Sequence, residues 1–216
     1  MPATHLKLLL IPAALAVWWR IKARPDAWLP WAGAQLAAAL LVESTATALS
    51  LAELSNEGLY NLYIPIEFGT LSLMLLHVTR PDRRRKWLTL VAALLFLLVM
   101  AWEFARNWRM GEPNLFLAMT VISGGLLLSF LALFAGLALA DTVTEPQVER
   151  SVWWLLASVA LYFMSFTPIF GLVKHFSATD PGKAQAIMKV NDLLFVIRYS
   201  FMGIAFLNLL PRPRRS

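Results

Sequence analysis

Seven apolar runs divide this chain, and six of them are long enough to cross a lipid bilayer. They fall at about residues 6–19, 28–51, 58–78, 87–106, 115–140, 152–173 and 190–210, and a hydrocarbon core of ~30 Å takes about 20 helical residues. No other feature narrows the fold as far. Runs of this length and apolarity read as membrane-spanning helices. The sequence therefore predicts an all-α, polytopic helical membrane bundle in a single integral membrane domain, residues 1–216. Seven transmembrane helices are expected. Six is the alternative, with the short first segment lying on the membrane surface.

That first segment has Lys7 ahead of an apolar run, as a signal peptide would. Trp18, Trp19 and Arg20 follow it, where small residues would mark a cleavage site. A Trp pair beside Arg suits an interfacial anchor, with Lys7 and Arg20 snorkelling at either end. The segment is read as a true span.

Composition agrees. The chain is 59% hydrophobic and 15% charged, with mean hydropathy +0.63, whereas soluble domains are roughly 45–50% apolar and about 25% charged. The net charge of +6 does not imply nucleic acid, because the basic residues cluster beside apolar runs, as positive-inside flanks do. With no cysteine, disulfides, thiolate metal sites and cysteine nucleophiles are excluded. His5, His77 and His175 lie near the ends of different segments, so neither a metal nor a cofactor is expected. His77 reads as a cytoplasmic interface residue.

Orientation follows from the Lys and Arg residues of the connections. With the N-terminus outside, the cytoplasmic side receives twelve: Arg20, Lys22, Arg24, Arg80, Arg83, Arg84, Arg85, Lys86, Arg150, Arg212, Arg214 and Arg215. The outer side receives six: Lys7, Arg106, Arg109, Lys174, Lys183 and Lys189. That bias predicts the N-terminus outside and the C-terminus cytoplasmic. The acidic connection from Asp141 to Ser151 runs against it. The loop from Thr79 to Lys86 could meet anionic lipid or a partner, although topology alone accounts for it.

Boundary signals are legible. Thr144 and Gln147 form a capping-box pattern with Pro146 in the first turn. Asp180-Pro181 reads as N-cap and first helical residue, so the last helix runs from about 181 to 210 and projects from the bilayer. Thr167-Pro168 reads as a break. Gly124-Gly125 and Gly136 permit close helix approach. All connections are short, leaving no extramembrane catalytic or DNA-binding module. No internal repeat is visible, so the signature of many transporters is missing.

Charges inside apolar runs are the informative residues, because placing one in lipid costs about 2.5–3.5 kcal/mol on insertion scales. Glu43, Glu67, Glu103 and Arg198 lie within or near the runs. Glu43, Glu67 and Arg198 all fall about 12–14 Å below the outer boundary at 1.5 Å per residue, on three different helices. Glu103, near the outer end of its run, is expected to reach headgroups or water. Tyr60, Tyr63, Glu67 and Thr70 form one stripe, and Pro65 frees the carbonyl of Asn61. Glu43, Thr47 and Ser50 share a face, as do Ser158, Tyr162 and Ser165, and Asn191 aligns with Arg198.

Two readings of this constellation stand side by side. In one, Arg198 pairs with Glu67 or Glu43 only to hold the bundle in register. In the other, Glu43, Thr47, Tyr60, Asn61, Tyr63, Glu67, Tyr162, Asn191 and Arg198 form a polar cavity in the outer half, with Arg198 available to an anionic group. Two carboxylates face one guanidinium at this level, so one of them needs a proton, water, ion or ligand.

The stretch Asn56 to Phe68, NEGLYNLYIPIEF, resembles the signature of a family of uncharacterised Bacteroidetes-type membrane proteins of similar length. In that signature an Asn precedes a Tyr-Asn-x-Tyr run and an Ile-Glu-Phe. Trp153-Trp154, Leu161-Tyr162-Phe163 and Asn191 are similar to later pieces of it, and Arg198 is not covered. The resemblance implies a bacterial inner-membrane location and no established activity. The spans lack the Lys of a retinal pigment and the His and Asp sets of ceramidase-like, receptor-type and lysoplasmalogenase-like enzymes.

Three functions are expected in descending order. The first is a non-enzymatic binding or sensing protein, taking a small or amphiphilic ligand in the outer-half cavity and signalling through cytoplasmic loops to a cytoplasmic or membrane partner. The second is a proton-coupled carrier with Glu67 or Glu43 titrating. The third is an intramembrane lipid-acting enzyme. Membrane lipid is the surrounding partner in each, and oligomeric state is left open.

Overall fold

The computed structural model describes residues 3–79, 82–111, 116–141 and 146–211. Arg80, Thr144 and the Arg212–Arg215 cluster lie outside them, as do the side chains of His5, Lys7, Gln147 and Lys174. Among the described residues there are seven helices and no strand: α1 (Ala3–Ile21), α2 (Leu29–Leu51), α3 (Glu57–His77), α4 (Arg83–Arg109), α5 (Ala118–Ala140), α6 (Pro146–Thr179) and α7 (Pro181–Leu207). Six of them, α2 to α7, are long and apolar enough to cross a membrane. The chain is a multi-pass helical bundle.

The helices close into a ring in which each packs on its chain neighbours and α7 returns to α1, while α3 also touches α5. Lipid supplies little hydrophobic force between helices, so close approach must come from small residues and satisfied polar groups. Gly33 on α2 supplies one such approach. A Cβ there would overlap the Trp18 ring of α1, and the Trp18 Nε1–H donates to the Leu29 carbonyl at 2.8 Å. Trp18 thus clamps α1 to α2, while Trp19 stays exposed with the Lys22 ammonium over its ring. Gly124 gives α5 a similar approach to the Phe96 ring of α4.

Helix α1 belongs to the bundle. Ile11 and Ala14 are buried, and α1 packs on both α2 and α7. Arg24, just past its end, donates to the Leu209 carbonyl just past α7 at 3.3 Å.

Ends are capped across helices as well as within them. Asp82 accepts from the Arg85 N–H at 2.7 Å to cap α4, and Asp180 accepts from the Lys183 N–H at 3.1 Å to cap α7. Pro181 occupies the first helical position of α7, where its missing N–H costs nothing. The last four carbonyls of a helix lack internal donors. Arg85 supplies one, its Nη2 donating to Leu75 at 2.5 Å, while its Nη1 donates to the Thr79 hydroxyl. Arg85, expected in the Thr79–Lys86 loop, instead lies in the first turn of α4 and is a buried cap of α3 rather than a surface contact.

Two expectations are corrected. No break occurs at Thr167-Pro168, and α6 runs unbroken through Pro168. Proline removes one backbone donor, and the surrounding helices hold the helix through that gap. Glu103 is buried rather than near water. Its carboxylate accepts from the Met119 N–H at 3.0 Å, the Thr120 N–H at 2.7 Å and the Thr120 hydroxyl at 2.8 Å. The residue preceding α5, Leu117, has no capping side chain, so α4 provides the cap.

Candidate functional site

Closing seven helices into a ring leaves a middle that small side chains would not fill. Here α3 and α7 face each other across it, and the gap is bridged by side chains. The Arg198 Nη1 donates to Glu67 Oε1 at 2.7 Å. Arg198 is completely buried, and Glu67 keeps 17% of its side chain exposed. Of the two expected pairings, Glu67 is the partner.

The rest of this layer orients the pair. The Tyr63 hydroxyl donates to Glu67 Oε1 at 3.1 Å. The Gln35 amide of α2 donates to the Tyr63 oxygen at 3.1 Å and to Glu67 Oε1 at 3.4 Å. Rings cover the guanidinium, with Tyr162, Phe163 and Tyr199 centred 4.8, 5.1 and 5.5 Å from its carbon. Its Nε and Nη2 have no hydrogen-bond partner among the described residues. A cation buried this way is stabilised by one carboxylate and by the negative faces of aromatic rings.

Beyond this layer the ring opens. A cavity of about 450 Å³ lies between α2, α3, α5, α6 and α7, with Tyr63 and Glu67 at its inner end. Its other walls include Asn56 and Glu57 at the start of α3, Phe116 before α5, Phe170 late in α6, and Met188, Asn191 and Asp192 in the first half of α7. All of these lie toward the bundle end that carries the α2–α3, α4–α5 and α6–α7 connections. The volume is within the roughly 300–1,000 Å³ of small-molecule sites.

The expected residues separate into three groups. Glu43, Tyr60, Tyr63, Glu67, Tyr162 and Asn191 line the cavity, and the Tyr60 hydroxyl donates to Glu43 Oε1 at 3.5 Å. Arg198 lies behind that wall, buried and engaged with Glu67, so it does not present itself to an anionic group in the cavity. Thr47 and Asn61 serve the backbone. Thr47 donates to the Glu43 carbonyl at 2.7 Å, and Asn61 Oδ1 accepts from the Leu117 N–H at 3.0 Å ahead of α5. From the same stripe, Thr70 donates to the carbonyls of Ile66 and Glu67.

Two residues were missed. Gln35 is completely buried, and its signal was being the sole amide in the second apolar run. Asp192 lines the cavity and lies inside the seventh run, so the criterion that picked Arg198 also applies to it. Among the described residues no group of three or more His, Asp or Glu side chains could hold a metal ion. No protein family, curated protein or solved structure matches the chain.

Proposed function

We propose that this is an integral membrane binding or sensing protein that takes a small or amphiphilic ligand in the cavity between α3 and α7. The observation that carries the reading is the cavity itself, bounded at its inner end by Tyr63 and Glu67, with the buried Arg198 paired to Glu67 behind them. Purely structural pairs need no such space beside them. Here one member of the pair keeps an exposed edge on the cavity. A ligand touching Glu67 changes the link between α3 and α7. Helix α3 carries that change to its far end, where Arg85 in the first turn of α4, just past the α3–α4 loop, holds the Leu75 carbonyl. That loop is the output to a partner, and the cavity end faces outward by the distribution of Lys and Arg. A bacterial inner membrane is the location the signature implies.

The chain has no cysteine of its own, so single cysteines report cleanly. Placed at Glu43, Tyr60 and Asp192, they are expected to react with a membrane-impermeant thiol reagent in intact cells, while one at the buried Ala132 does not. Lining positions as protected as Ala132 would mean a dry structural layer and would end this reading.

A further inference from the structure

We infer that the cavity takes an uncharged, ring-bearing ligand that donates one hydrogen bond, an inference that rests on the binding role proposed above and names its ligand class. The carboxylates at the inner end are already engaged. Glu67 receives Arg198, Tyr63 and Gln35, and Glu43 receives the Tyr60 hydroxyl. A cationic ligand there would have to compete with donors already in place. Of the other two carboxylates on the walls, Glu57 is exposed and Asp192 half-buried, so neither is shut away from solvent. An anionic ligand meets no Lys or Arg on the described walls, and the charge of Arg198 is taken by Glu67. A neutral ligand leaves this network intact.

Two features of the walls select the ligand. The first is aromatic. Tyr162, Phe166 and Phe170 follow at i, i+4 and i+8 on α6, and their rings stack in sequence at 5.5 and 5.2 Å, 26° and 27° from parallel. Phe195 tilts against Tyr162 at 4.9 Å and Phe116 against Phe170 at 5.4 Å, at the two ends of this ladder. All five line the cavity. Such a wall favours a planar ring laid offset or edge-on against it. An apolar cavity of ~150 Å³ holds one benzene ring, so about 450 Å³ has room for two fused rings. The second feature is polar. Asn191 is 6% exposed and lines the cavity, and its Oδ1 has no hydrogen-bond partner among the described residues. It stands one turn from Phe195 on α7, at the edge of the aromatic wall. A buried acceptor of this kind gains by meeting an O–H or N–H. A neutral arene with one such donor answers both features together.

The test uses purified full chain in phosphatidylcholine nanodiscs at neutral pH, with Tm read by scanning calorimetry. The probes share one fused-ring body. 2-Naphthol donates a hydrogen bond, 2-methoxynaphthalene cannot, and 2-naphthoate and 2-naphthylmethylammonium carry charge. 2-Naphthol is expected to raise Tm saturably, at a concentration about tenfold below that needed by any of the others. Asn191→Leu is expected to raise its half-saturating concentration about tenfold and to leave that of 2-methoxynaphthalene unchanged. Glu53→Gln, exposed outside the cavity, leaves both unchanged. If Asn191→Leu fails to fold, the hydroxyl and methoxy probes still decide in the unaltered chain. An equal response to the methoxy compound overturns the donor, and tighter binding of either charged probe overturns the neutral assignment, both leaving a binding cavity standing. No response to any probe, with cysteines in the cavity still labelling, overturns the ring-bearing ligand, whereas cysteines that fail to label end the binding role itself. Free arenes and ring-headed lipids share this chemistry, and 4-decylphenol built into the discs separates them. A raised half-saturating concentration of 2-naphthol there assigns the site to a lipid head, and an unchanged one to a free arene, the neutral donor being upheld in both.

Discussion

Glu67 and Arg198 are partners with unequal surroundings, and their unequal burial predicts unequal mutants. Removing Glu67 leaves a completely buried guanidinium whose Nε and Nη2 already lack partners among the described residues. Removing Arg198 leaves a carboxylate at a cavity wall, still receiving the Tyr63 hydroxyl and the Gln35 amide. Breaking a buried pair from one side costs about 3–5 kcal/mol. Glu67→Gln is therefore expected near that range, and Arg198→Met well below it. The double variant Glu67→Gln/Arg198→Met should recover part of the loss, because it removes the orphaned charge. Thermal unfolding of the three variants in a neutral detergent checks the order, and an equal loss from both single variants would contradict the unequal burial. The three charges at this level were legible from sequence because charge in an apolar run is conspicuous. Their allocation was not: whether Arg198 faces a ligand or a carboxylate depends on ring closure between helices more than a hundred residues apart in the chain.

Helix ends in this bundle are completed by other helices, which explains why Glu103 misleads in sequence. Its place near the end of an apolar run suggests water, but nothing local reveals that the N-terminus of α5 arrives above it. Helix limits were more legible where the caps are local, as at Asp180-Pro181. If Glu103 is the cap of α5, Glu103→Ala leaves two backbone N–H groups and the Thr120 hydroxyl without their acceptor. A buried donor left unsatisfied costs about 1–3 kcal/mol, so a loss of about 2–4 kcal/mol is expected. Glu103→Gln keeps one oxygen and should lose less than half as much, with faster amide exchange confined to the first turn of α5. A contrasting cap lies at the α6–α7 turn. Asp180 is held below its ordinary value of 3.8, chiefly by the Lys183 backbone N–H and then by its side chain. With its folded-state pKa depressed, its support of α7 is fully present above the unfolded value and disappears as pH falls through the folded one. Hydrogen exchange in the first turn of α7 should therefore rise on acidification below about pH 3.8. Asp180→Ala should show the raised exchange already at neutral pH and no further acid step from this group.

At the scale of the whole molecule, the question is whether seven helices or six traverse the membrane. The 19 residues of α1 span about 28 Å, close to the ~30 Å hydrocarbon core, although this helix is the most ambiguous by composition. Packing bears on what composition leaves open. Trp18 fixes α1 against α2 near the start of that helix. Arg24 then joins the end of α1 to the end of α7, and Ile11 is buried well back along α1. The end of α1 thus sits beside the end of α7, and α1 extends into the ring from there. A helix lying flat on the surface would leave α2 and α7 without the neighbour that closes the ring. Helix α6 adds a second global constraint. Its 34 residues span about 51 Å, longer than the ~30 Å hydrocarbon core. Phe170 and Met188 on the α6–α7 hairpin border the cavity. A seventh traverse by α1 would put the two chain ends on opposite sides of the membrane, with the N-terminal end outside by the positive-inside expectation. A periplasmic-active reporter fused at the N-terminal end and a fluorescent cytoplasmic reporter fused at the C-terminal end should therefore both be active in their own compartments. Both ends reporting the same side would put α1 on the surface. The ring would then need another element to cover Ile11 and Ala14, and the cavity would lose the closed frame that gives Glu67 and Arg198 their opposed positions.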